Sequence, residues 1–300
     1  MKNVGDYTKV DHVPVMLDEV ISALNINPNG VYVDGTLGKG GHSKLILEKL
    51  SKNGLLIGLD RDFESIQYCK KKFIRKLTPH YFLNESYENF PKTLKKFKIQ
   101  QVDGIFLDLG LSSVQLESKN RGFTYGIDSD LDMRFDIKQK LKASNIVNDL
   151  KVNDLADIIY KYGEERRSRS IAKNIEKMRP LKTVFELVEA IRRSTPPNQR
   201  KKSLVRVFQA IRIKVNDELK KLEEFLFSFI NHLKFNGRIV IISFHSLEDR
   251  IVKHQFKNIA KNKQLLIHTK RPLTASKTEI LNNKRSRSAK LRIAEKIKSA

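Results

Sequence analysis

The sequence predicts an α/β fold in which a mainly parallel sheet is interrupted by a wholly helical insertion. Three observations carry this. Strand-like runs and helical patterns alternate through residue 110; strand signal then vanishes from 112 to about 205; and an apolar run, Arg238-Ile-Val-Ile-Ile-Ser-Phe244, brings the sheet back. The expected organisation is therefore one sheet domain built from 1–111 and 206–300, carrying 112–205 as an insertion.

Val31 to Asp34 is the first strand, and a glycine-dense stretch after it opens a helix expected over 41–50. Leu55 to Asp60, a helix over 62–77, Tyr81 to Asn84 and Gly104 to Asp108 continue the alternation. Open parallel sheets bind ligands at the carboxyl ends of their strands, and Asp34, Asp60 and Asp108 all fall there. Within the insertion, Leu155, Ile158, Ile159 and Tyr162 share one face of a helix over 152–162. Thr183-Val-Phe-Glu186 reads as a capping box opening a helix over 183–193, closed by Pro196-Pro197. Asn216 is expected to N-cap an amphipathic helix reaching Lys234, with Leu219, Leu222, Leu226, Phe229, Ile230 and Leu233 on its apolar face. Asn236-Gly237 then turns the chain into the returning strand.

The stretch Asp34-Gly-Thr-Leu-Gly-Lys-Gly-Gly-His-Ser43 has the outline of a nucleotide-type site. Glycines let backbone approach a ligand, and a following helix offers unpaired N–H groups. A dinucleotide fingerprint built on Gly38 and Gly40 needs a third glycine where Ser43 stands, and a P-loop needs Ser or Thr where Gly40 follows Lys39. A carboxylate about 20 residues past a glycine loop suits a ribose diol, and Asp60 is so placed. An ordinary tight strand-to-helix turn is the alternative reading of the same glycines.

Three hundred residues at 40% hydrophobic content can bury a sizeable core. There is no apolar run long enough to span a bilayer, and the first residues lack the apolar core of a signal peptide. The single cysteine, Cys69, rules out an internal disulfide and a cysteine-rich zinc site, so a reducing, cytoplasmic location is expected. Net charge is +24, and residues 251–300 hold 14 Lys and Arg against Glu279 and Glu295, half of that excess. Such clustering fits a polyanionic partner, nucleic acid before any membrane. Arginines in Lys284-Arg-Ser-Arg287 favour that reading over a lysine-rich composition spread across every surface.

Further segments join the 34–43 loop: His12-Val-Pro-Val-Met-Leu17, Asp60-Arg-Asp62, Asp108-Leu-Gly-Leu-Ser-Ser113 with Gln115, Arg121-Gly-Phe123, Leu131-Asp-Met-Arg134, Tyr162-Gly-Glu-Glu-Arg166, Phe208-Gln-Ala-Ile-Arg212 and Ser243-Phe-His-Ser-Leu-Glu-Asp-Arg250. Together they resemble the bacterial ribosomal RNA small-subunit methyltransferase H family. The resemblance runs nearly the whole length, in order. It implies a Rossmann-like class I S-adenosylmethionine-dependent methyltransferase domain with an inserted all-helical substrate-recognition domain. It also implies methylation of the exocyclic N4 of a cytidine in the decoding region of 16S ribosomal RNA within the small ribosomal subunit. By the same resemblance Gly40, Gly41 and His42 line the methionine and ribose part of the cofactor, Asp60 binds the ribose, Tyr87 lies against the adenine, and Asp108 and Gln115 take the remaining cofactor positions. Tyr87 stands where the family usually has Phe, and prolines usual near Ala275 and at Lys284 are missing, which puts the path of the basic C-terminal tail in doubt but not the chemistry. A homodimer is compatible with the sequence, which does not dictate one.

Cytosine N4 donates its lone pair into the ring, so an acceptor must draw the amine towards tetrahedral geometry and its proton must leave. Asp108 is the candidate acceptor. Amino-methyltransferases that stack the base on an aromatic after Pro-Pro differ from Asp108-Leu109-Gly110, so the stacking ring is sought among Phe123, Tyr125, Phe135 and Phe244. His245 reads equally as a histidine held by local hydrogen bonds and as a base or RNA contact. His12 is expected to pack rather than bind metal, and no metal site is expected. Arg166, Arg167, Arg169, Arg192, Arg193 and the Arg200–Lys202 run suit backbone phosphates, or a solvated helix face. A cytidine deaminase fails for want of cysteines. A non-catalytic RNA-binding assembly factor and a protein methyltransferase are the rival functions.

Overall fold

A computed structural model describes residues 13–112, 115 and 120–297 of the chain; His12 and Ser113, named above in two motifs, lie outside the described residues. The strands are β1 (Val31–Asp34), β2 (Leu55–Leu59), β3 (His80–Leu83), β4 (Val102–Asp108), β5 (Leu233–Ser243), β6 (Leu265–Ile267) and β7 (Lys290–Lys296). They form one sheet in the order β3-β2-β1-β4-β5-β7-β6, parallel except for β7. The order reverses between β1 and β4, so the loops leaving these two strands part in opposite directions and open a crevice at their carboxyl ends.

Side-chain alternation along the strands supplies two apolar faces. Tyr32, Leu56, Phe106 and Val240 face one cluster, covered by α1 (Leu17–Leu24), α2 (Gly41–Lys49) and α3 (Phe63–Lys72). Val33, Ile57, Ile105 and Ile239 face the other, covered by α4 (Phe90–Lys96) and by two later helices whose Phe225, Phe229 and Phe256 interlock. This is the α/β architecture expected from the strand–helix alternation, in the Rossmann-like form that the family resemblance implies.

The inserted segment builds a layer of its own from α5 (Ala143–Asp149), α6 (Val152–Gly163), α7 (Ser168–Lys177), α8 (Val184–Arg193) and α9 (Arg200–Asn216). Its apolar cluster runs from Phe123 to Val215, ten residues past the expected boundary at 205. The capping box forms as read: Thr183 Oγ1 accepts from Glu186 N, and Glu186 Oε2 from Thr183 N.

Asn216 behaves differently from its expected N-cap role. It ends α9, and α10 (Glu218–His232) begins after Asp217, whose left-handed φ of 54° breaks the two helices apart. Fully buried, Asn216 joins the two layers: Oδ1 accepts from Phe135 N at 2.7 Å, while Nδ2 donates to Met133 O at 2.7 Å and Arg212 O at 3.0 Å. Its own carbonyl accepts from the Arg61 guanidinium at the end of β2, at 2.8 Å. The following strand also starts earlier than expected. β5 begins at Leu233 and passes through Asn236-Gly237 as a bulge, with Asn236 at φ 61° and the register slipping from Val102↔Leu233 to Gly104↔Arg238.

The basic C-terminal stretch is part of the sheet domain. After α11 (Ser246–Lys261), β6 and α12 (Lys277–Asn282), the chain returns as β7 between β5 and β6. Arg292 and Lys290 on β7 pair with Asp249, and Arg238 on β5 pairs with Glu295. Among the described residues no helix is long and apolar enough to cross a membrane.

Asn216→Ala removes the partners of a buried N–H and a buried C=O at once, so it is expected to destabilise the fold by about 2–4 kcal/mol. Urea unfolding followed by circular dichroism measures this; a loss below about 1 kcal/mol contradicts the bridging role.

Candidate active site

The crevice at the β1/β4 parting is a cavity of about 310 Å³. One wall is the glycine loop with Asp60, Tyr87 and Asp108; the other brings Phe135, Glu218, Glu248 and Arg285 from distant parts of the chain.

The loop keeps its shape because of what surrounds it. Asp34, buried at the end of β1, is turned away from the cavity and accepts from Ser43 Oγ at 2.6 Å and Thr36 N at 3.1 Å, tying the start of α2 to the strand. Burial pushes its carboxyl up to about 6 against those two donors. Gly40 has a left-handed φ of 69°, and a Cβ there would lie 2.6 Å from the Phe73 ring, so its glycine serves the turn and the packing beneath; it does not line the cavity. Gly41 does line it, and a Cβ there would collide with Pro14 at 2.3 Å.

Asp60 stands across from the loop. Its Oδ2 accepts from Gly38 N at 2.7 Å and its Oδ1 from Asp62 N at 2.8 Å, so both oxygens are aimed and each keeps a further lone pair. Burial raises this carboxyl to about 6, opposed by those N–H groups and reinforced by the charges of Asp62 and Asp34. Gln115 lines the cavity with Oε1 accepting from Ser112 N at 3.0 Å and Nε2 near Asp62 Oδ2 at 3.4 Å. The Tyr87 ring, edge-on to Phe225 at 5.7 Å, forms part of the same wall.

Asp108 is the least satisfied of the three acids. Its backbone N–H donates to Thr36 Oγ1 at 2.6 Å, which clamps β4 to the loop, but side-chain Oδ1 is buried with no hydrogen-bond partner among the described residues. His42 Nε2 lies 2.9 Å from the Val15 carbonyl, which can only accept. In the neutral ring the proton therefore sits on Nε2, and the bare Nδ1 is turned to Asp108 Oδ2, 4.0 Å away. Burial pushes Asp108 up to about 7, opposed by Arg285 and reinforced by Asp34 and Glu248.

On the facing wall Arg212 grips Glu218 with two bonds of 2.8 and 2.9 Å. Glu248 is buried, and its Oε2 accepts from Phe244 N at 2.9 Å. Although burial works against it, His245, Arg212 and that N–H hold its carboxyl below the usual range. His245 caps α11, its Nδ1 accepting from Glu248 N at 3.3 Å, while Nε2 sits 3.1 Å from Glu248 Oε1 outside hydrogen-bond geometry. It does not line the cavity. Glu218, His245 and Glu248 present ligand atoms within 4.8 Å of one another, but the Arg212 guanidinium already supplies the cation there.

The structure thus brings Gly41, His42, Asp60, Tyr87, Asp108 and Gln115 into one cavity and leaves Gly40 and His245 behind its walls. Of the four aromatic candidates Phe135 alone lines it, with Arg61 over its ring at 5.4 Å and Phe123 stacked at 5.7 Å. Tyr125 packs on Phe208 in the helical layer, and Phe244 lies against the sheet core beside Gly110. Glu218, Glu248 and Arg285 carry no signal of a cavity role in sequence. Glu248 sits inside a matched segment without an assigned part, and Arg285 counts only as one more basic residue.

The model of the MraW methylase family matches residues 9–297. A protein of Caldicellulosiruptor saccharolyticus named ribosomal RNA small subunit methyltransferase H is 46% identical over 306 residues, covering 96% of this chain and 99% of its own. Proteins of the same name from Thermosipho africanus (46% over 290 residues, 95% and 98% covered) and Clostridium botulinum (44% over 306 residues, 95% and 99% covered) are similar along the same span. The likeness takes in the glycine loop, the helical layer and the returning strands alike, and the chain belongs to the MraW methylase family.

Proposed function

We propose that this methyltransferase uses S-adenosylmethionine to methylate the exocyclic N4 of a cytidine in the decoding region of 16S ribosomal RNA. One observation carries the reading: a carboxylate pre-aimed for a diol, Asp60, and a carboxylate with an orphaned acceptor oxygen, Asp108, share one cavity with the glycine loop. The names of the near-full-length relatives support the ribosomal RNA substrate.

The residues fit the cofactor. Asp60 has one spare lone pair on each oxygen for the two ribose hydroxyls, the Tyr87 ring offers an aromatic face for adenine, and Gly41, His42 and Gln115 bound the remainder. When bound, S-adenosylmethionine supplies a methyl group activated by its sulfonium. Asp108 then does the protein's share of the chemistry. Its carboxylate accepts from the N4 amine through the oxygen open to the cavity, draws the nitrogen lone pair out of conjugation with the ring, and takes the proton that N4 sheds as it gains the methyl. A carboxyl raised to about 7 suits that proton near neutral pH. His42 bounds the carboxylate on one side, its Nδ1 4.0 Å from Asp108 Oδ2, and Glu248, whose N–H is capped by His245, closes the far wall.

The helical layer is assigned to substrate recognition. Arg166, Arg167, Arg169, Arg192, Arg193 and Arg200 to Lys202 are exposed on it and suit backbone phosphates.

Mass spectrometry of small-subunit RNA incubated with the enzyme and cofactor is expected to show one methyl on cytosine N4; a methyl elsewhere, or none, rejects the assignment. Asp60→Asn is expected to weaken S-adenosylmethionine binding by about 10–100-fold in calorimetry, since one diol acceptor becomes a donor.

Asp108→Asn should cut turnover by about a hundredfold or more even with the cofactor saturating. It should also stabilise the fold, because burial raises the folded-state pKa of this acid above its unfolded value. That mismatch destabilises progressively as pH rises from about 4 to about 7 and stays constant above, so the gain in urea unfolding is expected near zero at pH 4 and on the order of 2 kcal/mol at pH 8. Charge reversal of Arg200, Lys201 and Lys202 together is expected to weaken RNA binding about tenfold or more and flatten its salt dependence, with turnover at saturating RNA retained.

A further inference from the structure

We propose that Arg285 is a positioning residue of the reaction, a cation delivered into the cavity by the C-terminal segment to hold the backbone that follows Asp108 and to favour the carboxylate form of that acid. This rests on the reading of Asp108 as the proton acceptor.

Charge counting places Arg285 with Lys284 and Arg287 on a basic surface. The fold separates them: Lys284 and Arg287 are exposed, whereas Arg285 is half-buried and lines the cavity. Its guanidinium donates to the Leu111 carbonyl at 2.5 Å, three residues beyond Asp108. The segment that carries it is stapled on both sides. Leu273 and Leu291 exchange backbone bonds of 3.0 and 2.9 Å, Glu279 Oε1 accepts from Met16 N at 2.8 Å, and Asn283 Nδ2 donates to Val13 O at 3.0 Å. Asn283 Oδ1 also accepts from Arg285 N at 3.3 Å, and Ser286 beside it is fully buried. An exposed phosphate-binding arginine needs none of this anchoring.

The charges facing Asp108 show why a cation is required. Asp34 on β1 and Glu248 on α11 oppose its ionisation, as does burial itself. His42 on α2 faces it at 4.0 Å with its Nε2 committed to Val15. Arg285 opposes them, and a guanidinium keeps its charge across the working pH range. Without it the carboxyl would hold its proton to higher pH and could neither accept from N4 nor take its proton.

Two substitutions separate charge from anchoring. Arg285→Gln removes the charge but keeps a donor for Leu111 O; Arg285→Lys keeps the charge on a point donor. With cofactor and RNA saturating, the acid limb of the pH–rate profile is expected to move up by about one unit in Arg285→Gln, a tenfold loss on the acid side that is largely recovered at high pH. Arg285→Lys is expected to keep the limb near its original place. In parallel, carbon-13 NMR of carboxyl-labelled aspartates, with the Asp108 signal assigned through Asp108→Asn, reads that ionisation directly and needs no turnover. An Asp108 titration unmoved in Arg285→Gln, or an equal loss of rate at every pH, overturns the proposal. A shifted titration with an unmoved limb overturns instead the reading of Asp108 as acceptor.

Discussion

Three carboxylates, one buried and two part-buried, stand along one rim of one sheet, and most of the site follows from making that arrangement tolerable. A buried anion is costly unless donors or cations meet it. Asp34 is met by a hydroxyl and an N–H and spends its capacity on holding the loop. Asp60 is met by two N–H groups, one from the glycine loop itself, so the same bonds that stabilise it set its direction. Asp108 receives no such donor on Oδ1 and lives with a raised pKa. The gradient from satisfied to unsatisfied runs from the acid with a structural task to the acid assigned to the reaction.

The same rim explains how the two layers stay in register. In Asp60-Arg61-Asp62 three consecutive side chains leave the end of β2 in three directions. Asp60 reaches the loop, Arg61 reaches Asn216 O and Gln139 Oε1 of the helical side, and Asp62 caps α3 while gripping Arg121 at 2.6 Å. Arg121 in turn holds the carbonyls of Arg134 and Phe135. A displacement of the helical layer would therefore be felt within two residues of Asp60, which couples the surface assigned to RNA to the pocket assigned to the cofactor.

What was legible in the sequence divides along physical lines. Strands with continuous apolar runs, the capping box at Thr183 and the crevice acids announce themselves through periodicity and turn chemistry. The break at Asp217 does not: no glycine or proline marks it, and α9 and α10 are both helical, so only the left-handed backbone of one aspartate tells them apart. β7 was hidden because Arg292, Glu295 and Lys296 make it read as solvated, though Arg292 is buried against Asp249. Asn236-Gly237 carries an ordinary turn signature, and only pairing with β4 makes it a bulge. Arg285 lay beyond reach for a related reason: composition counts charges, whereas its direction depends on a backbone path stapled through Leu273, Glu279 and Asn283.

Charge is distributed differently inside the cavity and outside it. The chain carries a net +24, and the exposed face of the helical layer is basic, but within the cavity Asp60, Asp108, Glu218 and Glu248 stand among Lys39, Lys44, Arg61, Lys72 and Arg285, so neither sign prevails there. Attraction of a phosphate backbone is therefore a property of the exterior, and selection inside the cavity falls to hydrogen bonding and shape rather than to net charge. In the proposed reaction the exocyclic amine of an extruded cytosine meets that requirement, since N4 presents donors to a carboxylate and Asp108 supplies one.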